Sequence, residues 1–157
     1  MKTIISRICI IYTILLQPVC SDDELISIRV TKISDGDTVR AIVSGEEKRI
    51  RLWGIDAPEK NQSFGKKSKK NLGNLLENSD IQLKIIGIDR YKRTLGILYS
   101  KDKNINLQMV KDGYAWAYRK YNKESEYLEA QNTAKEKKLG LWEELEPTPP
   151  WEFRKKK

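Results

Sequence analysis

Asp35-Gly36-Asp37-Thr38, followed a short hairpin later by Arg51-Leu52-Trp53-Gly54-Ile55-Asp56-Ala57-Pro58-Glu59, is the stretch from which the rest of the chain can be read. Asp-Gly and Ala-Pro are turn signals, so Asp35, Asp37, Asp56 and Glu59 sit at chain reversals, at the mouths of strands. Between the reversals Val39, Ala41 and Val43 alternate as one strand, and Ser44-Gly45 makes a tight turn. Glu46 to Leu52 follows as the next strand, with Ile50 and Leu52 on one face and Arg49 and Arg51 on the other. Such a hairpin draws its ends together, and the acids with them. Two carboxylates about 4 Å apart repel by ~1 kcal/mol in water and ~4 kcal/mol at an effective dielectric near 20. A cluster of them needs a basic neighbour, which Arg51 can be, or a hard divalent cation with oxygen ligands. Singly, each acid reads as a turn former; the joint spacing points to chemistry.

Outward from this stretch the pattern stays that of a small β-rich domain. Ile26, Ile28 and Val30 alternate as a first strand, and Ile33 falls out of phase, which predicts a bulge before the Asp-Gly turn. A polar loop after Glu59 leads to a helix from about Lys66 to Asn78, striped by Leu72, Leu75 and Leu76. Lys66, Lys67, Lys69 and Lys70 crowd its first turns, where cations oppose the helix dipole. They read equally well as an anion-binding set and as a solvated face. Ile81 to Ile88 and the alternating Leu95, Ile97 and Tyr99 form a second hairpin, turned by Asp89 to Arg93. Asn104 or Asn106 caps a short helix stopped by Gly113, and Asn122 is expected to cap a last helix terminated by Gly140. Trp53, Trp116 and Trp142 are read as core or near-core. The resulting class is α+β, mainly β: a five-stranded OB-fold barrel with about three helices.

The 157 residues suit one domain. Lys and Arg total 30 against 22 Asp and Glu, so an acidic partner is indicated, nucleic acid or an anionic membrane. With no His, a general base near neutral pH must be a carboxylate, Lys, Tyr or metal-bound hydroxide, and a typical zinc site is excluded. Residues 1–21 read as an export signal: Lys2 and Arg7, the apolar run Ile8 to Leu16, and small residues before a cut after Ser21. The run is too short to span a bilayer, so no stable membrane span is expected. Cleavage would place the domain, 22–145, outside the cytoplasm, secreted or periplasmic, without either of its cysteines, Cys9 and Cys20. Residues 146–157 form a Pro-rich basic tail, expected as an extended peptide with Trp151 and Phe153 docked or exposed.

The acid-arginine spacing, with Asp89-Arg90-Tyr91-Lys92-Arg93, Gly113-Tyr114-Ala115 and Lys138-Leu139-Gly140-Leu141-Trp142, resembles the staphylococcal-nuclease (thermonuclease) family across roughly residues 26 to 143. The resemblance implies an OB-fold and a calcium-dependent phosphodiesterase that cuts DNA and RNA with little sequence preference and leaves 3′-phosphates. It implies that Asp37, Asp56 and Ala57 hold Ca2+ with Asp35 close by, that Arg51 and Arg93 bind the scissile phosphate, and that Glu59 is the base. Tyr91 matches a substrate-contacting tyrosine. Tyr118 is a second candidate, in a stretch (residues 115–121) that departs from the type enzyme's pattern, with packing against the barrel equally weighted, and Tyr121 is a weaker one. The loop after Glu59 is shorter than in the type enzyme. A monomer acting on nucleic acid, single strands favoured, is expected. The competing reading is a non-catalytic OB-fold module that only binds single-stranded nucleic acid. Three carboxylates facing a polyanion weaken such binding unless a metal neutralises them, which favours the enzyme.

Overall fold

The computed structural model describes residues 24–77, 80–120 and 122–156; the export signal and Tyr121 lie outside them. The alternating segments become strands β1 (Leu25–Ile33), β2 (Thr38–Val43) and β3 (Glu46–Leu52), then a two-residue β4 (Ile55–Asp56). Helix α1 (Gly65–Leu76) precedes β5 (Ile81–Ile88), β6 (Thr94–Ser100) and the short β7 (Lys103–Asn104). Helix α2 (Ile105–Lys111), β8 (Trp116–Ala117), α3 (Ser125–Glu136) and α4 (Pro150–Phe153) complete the order.

The strands run β3-β2-β1-β5-β6-β7, and β3 also pairs in parallel with β6, so the five long strands close into a barrel. This is the OB-type α+β architecture expected, with a fourth helix added. The register slips between Val30 and Lys32, the predicted bulge, and the slip turns Ile33 back towards the interior after two exposed residues. Ser44 and Gly45 both have positive φ, 50° and 87°, the primed turn that matches the twist of a two-residue hairpin. Val39, Val43, Ile50, Leu52, Leu83 and Leu98 fill the barrel. Leu72 of α1, fully buried, closes one end, and truncating it to Ala should cost about 2–5 kcal/mol.

Asn104 is the cap of α2: its side chain accepts from the Leu107 amide at 3.0 Å. Asn106 has a different task. Fully buried, it donates to the Trp53 and Gly96 carbonyls at 2.9 and 3.0 Å and accepts from the Leu98 amide at 3.1 Å. It thus pins α2 to the parallel seam.

Three expectations are corrected. Asn122 does not cap α3; its side chain accepts from the Glu124 amide at 2.8 Å in an Asx turn, and the helix starts at Ser125. After α3, Lys138 takes the left-handed conformation, while Gly140 abuts Gly113, whose carbonyl accepts from Leu141. The tail is not extended: Pro150 opens a helical turn where its missing N–H is no loss, and Arg154–Lys156 continue as a 3-10 turn. Trp142 is buried, as expected, while Trp53 and Trp116 are half-buried. Among the described residues no helix is long and apolar enough to cross a membrane.

Candidate active site

The Asp35-Gly36-Asp37 turn is held by its own side chain, Asp35 Oδ1 accepting from the Asp37 amide at 3.1 Å. It sits tightly on the body, since a Cβ at Gly36 would run into Ser68 of α1 and the Ala57 methyl. Only glycine lets the two acid-bearing loops come this close. Asp37 is then directed inward: Oδ1 accepts from Thr38 Oγ1 at 3.0 Å, and Oδ2 from the Ala57 amide at 2.7 Å.

Arg51, opposite Thr38 in the β2–β3 ladder, bridges the two loops. Its Nη2 lies 3.1 Å from Asp37 Oδ2 and 2.9 Å from Asp56 Oδ1, and its Nη1 donates to the Leu52 carbonyl at 3.0 Å. Asp56 is fixed by the β4–β8 ribbon, where it pairs with Trp116. Side-chain exposure is 8% for Asp37 and 1% for Asp56. Burial pushes the Asp37 carboxyl up to about 7 against the pull of Arg51, and the charges of Asp35 and Asp56 push the same way.

Arg154, which the sequence reading left unassigned, reaches the same cluster from the closing segment. Its Nη2 is 2.7 Å from Asp56 Oδ2, and its Nη1 is 3.2 Å from Asp56 Oδ1 and 2.8 Å from Glu59 Oε1. Those two carboxylates hold its guanidinium well above the usual range, against the opposing effect of burial. Glu59 is further placed by its amide, which donates to Gln62 Oε1 at 3.1 Å, while Gln62 Nε2 donates to the Thr148 carbonyl at 2.6 Å. The only hint in sequence was an Arg beside two aromatic residues, Trp151 and Phe153, in an otherwise polar segment.

Arg93 leads into β6, and the next residue, Thr94, pairs with Ile50 of β3. Arg51 in β3 and Arg93 just before β6 therefore flank the same seam. The structure does not bring Arg93 into contact with the acid cluster. It forks onto Asp89 instead, Nε and Nη2 each 2.7 Å from Oδ2. Burial would raise the Asp89 carboxyl, but hydrogen bonds from the Arg93 amide and guanidinium and the Tyr91 amide outweigh it and hold it below the ordinary carboxylate range. Tyr91 is 63% exposed, with the Arg90 and Arg93 guanidinium groups 4.8 and 5.4 Å from its ring centre. Tyr118 is half-buried, its amide bonded to the Gly54 carbonyl at 2.9 Å and its ring 5.7 Å from that of Trp151. The lysines of α1 fall on an exposed to half-buried face, with Lys67 over the Phe64 ring.

Among the described residues no group of three acids closes into a complete metal-ligand set. Asp37 and Asp56 converge as a pair on Arg51, buried and all-oxygen. That donor chemistry fits a hard cation that retains water in its shell, and it lacks the Cys or His of a typical zinc site.

A closed OB-type barrel whose β2–β3 hairpin gathers acids and an arginine at one mouth defines a class of nucleic-acid hydrolases. Residues 49–144 match the model of the staphylococcal nuclease homologue family. An uncharacterized endonuclease of Haemophilus influenzae is 43% identical over 98% of this chain and 85% of its own length. An uncharacterized endonuclease of Escherichia coli O157:H7 is 40% identical over 82% of this chain and 85% of its own. A micrococcal nuclease of Shigella flexneri is 37% identical over 80% and 79%. The chain belongs to the staphylococcal nuclease family and is a nuclease.

Proposed function

We propose that the chain is an exported, calcium-dependent endonuclease that hydrolyses DNA and RNA with little sequence preference and leaves 3′-phosphates. The observation that carries this reading is the convergence of Asp37 and Asp56 on Arg51 at one mouth of the barrel, with Glu59 joined to Asp56 through Arg154, by contacts of 2.7 to 3.2 Å. Asp37 and Asp56, with Asp35 and the Ala57 carbonyl, would hold the cation, which supplies Lewis-acid polarisation of the phosphoryl oxygen and neutralises charge. Arg51 exchanges its carboxylate partners for phosphate oxygens, offering two parallel N–H donors that Lys lacks. Arg93, preformed as a fork on Asp89, does the same from the turn before β6. Glu59 accepts the proton of the attacking water, the one task here that a His would otherwise perform. Tyr91, exposed beside Arg93, stacks on a base, which suits single strands and tolerates any sequence. Tyr118 contributes a second ring when Trp151 does not cover it. The enzyme acts as a monomer of one nuclease domain, 22–145, with residues 1–21 removed on export.

Digestion of plasmid, single-stranded DNA and RNA by purified protein tests this, with calcium and then with excess chelator. Cleavage should require calcium and yield ends from which a phosphatase releases 3′-phosphate. Full activity of Asp37→Ala in chelator would refute the metal assignment. Mass spectrometry of the exported protein should find an N-terminus near Asp22, and an intact Met1 would refute export by cleavage.

A further inference from the structure

We infer that residues 147–156 form a latch over the active site, with Arg154 seated as a tethered cation on the carboxylates that hold the metal, so that a divalent cation and Arg154 exclude one another. The inference rests on the metal reading above and extends it to a segment outside residues 22–145.

Both oxygens of Asp56 are engaged by Arg154, at 3.2 and 2.7 Å, and Oδ1 is shared with Arg51. A metal bound to Asp56 needs the same lone pairs, and it would stand as a third cation on a carboxylate that Arg51 and Arg154 already share. Arg154 also holds Glu59 at 2.8 Å, so a single guanidinium occupies both the metal ligand and the base. The other half of the site is covered as well. Trp151 lies tilted over Tyr118, ring centres 5.7 Å apart at 34°, and edge-on to Trp116 at 5.5 Å, the aromatic face that a nucleobase would use.

The seat is built to hold, yet not to hold permanently. Thr148 is tied to Gln62 at 2.6 Å, and Gln62 in turn to the Glu59 amide. Beneath the segment is a cavity of about 150 Å³ bordered by Pro58, Phe64, Trp116, Leu141, Pro147 and Phe153. Its packing on this side is therefore incomplete, while Pro150 is buried and Trp151 packs on Trp116 and Tyr118. Side-chain exposure separates the two arginines on Asp56: 14% for Arg51, a fixture of the barrel, and 43% for Arg154. The cost of releasing Arg154 is moderate, because a cation as exposed as this regains its hydration.

Calorimetric titration of calcium chloride into the full chain, Arg154→Gln, a form ending at Glu146 and Asp56→Asn tests the latch. Circular dichroism checks that each is folded. Both Arg154→Gln and the shortened form should bind calcium about tenfold or more tightly than the full chain, a difference of about 1.4 kcal/mol. Calcium should also speed tryptic cleavage of the Arg154–Lys155 bond in the full chain, since trypsin needs the guanidinium free. Equal or weaker calcium binding by Arg154→Gln, or protection of that bond by calcium, overturns the latch and leaves the metal site standing. Weaker binding would make Arg154 a supporting part of the metal site. Absence of binding heat from every form removes the metal reading and the latch together.

Discussion

Replacing Asp37 by Asn probes the charge balance on which the site depends. Without metal, the Asp37 carboxyl is raised from 3.8 to about 7, chiefly by burial. Across that window the native chain keeps a proton that the unfolded chain has released. Stability is then greatest below the unfolded value and falls as pH rises through the folded one. At about 1.4 kcal/mol per pH unit, the full span amounts to about 4 kcal/mol, and relaxation around the site reduces the expectation to about 2 kcal/mol. Asn can keep the bonds from Ala57 and Arg51 through its oxygen and turn its NH2 towards Thr38 Oγ1, so the loop geometry survives. Urea denaturation in chelator at about pH 5 and pH 8, followed by tryptophan fluorescence, should show the parent losing about 2 kcal/mol more than Asp37→Asn, a midpoint difference of about 1 M. Calcium at the higher pH should restore the parent and not the variant, because a bound cation favours the ionised carboxylate. Parallel losses in the two proteins would refute the reasoning.

Arg51→Ala leaves two buried carboxylates without their shared partner and should cost about 3–5 kcal/mol in stability, whereas Arg51→Lys should fold and lose most of its cleavage rate. Parental rates in both Arg51→Lys and Arg93→Lys would reduce the arginines to bulk positive charge. Glu59→Gln should lose about 10²–10⁴-fold in rate if general-base catalysis dominates, the loss shrinking as pH rises. A loss that stays constant with pH would assign Glu59 to ordering the loop through Gln62 and Arg154. Asn106→Ala takes their side-chain partner from the Leu98 amide and the Trp53 carbonyl, while the Gly96 carbonyl keeps the Trp53 amide; it should destabilise by about 2–3 kcal/mol, measured by urea unfolding, while the folded fraction keeps its rate.

Much of the fold could be read because local rules decide it. The alternation of Ile26, Ile28 and Val30 and the displaced Ile33 marked both a strand and its bulge, and Ser44-Gly45 marked a turn that has few alternatives. The hairpin carrying Arg51 followed from the same pattern, and with it the meeting of Asp37 and Asp56. What escaped depends on partners remote in sequence. Asn104 and Asn106 are equivalent as caps on paper, and only the nearby Trp53 and Gly96 carbonyls separate them. Asn122 accepts from the Glu124 amide two residues on, and in sequence such an Asx turn looks like a helix cap. The pairing of β4 with β8 involves two residues on each side, too few to leave a periodic signal. Pro147, Pro149 and Pro150 read as helix breakers, although Pro150 begins a helical turn. Arg154 meets Asp56 across nearly the whole domain, and no local pattern announces such a contact. Arg93 pairs with Asp89 four residues earlier because the turn between them returns the guanidinium to that carboxylate.

The parallel seam between β3 and β6 has a kinetic consequence. Every other long-strand pairing in the barrel is antiparallel, and β2–β3 and β5–β6 are hairpins that form locally. Ile50, Arg51 and Leu52 meet Thr94, Leu95 and Gly96 only after the intervening helix and strand have been placed, and joining such distant segments is slow. Arg51 and Arg93 stand on opposite sides of that seam. A refolding chain should thus show its hairpins, and much of its circular dichroism, well before it cuts anything. Cleavage should appear with the slowest phase, when the barrel shuts.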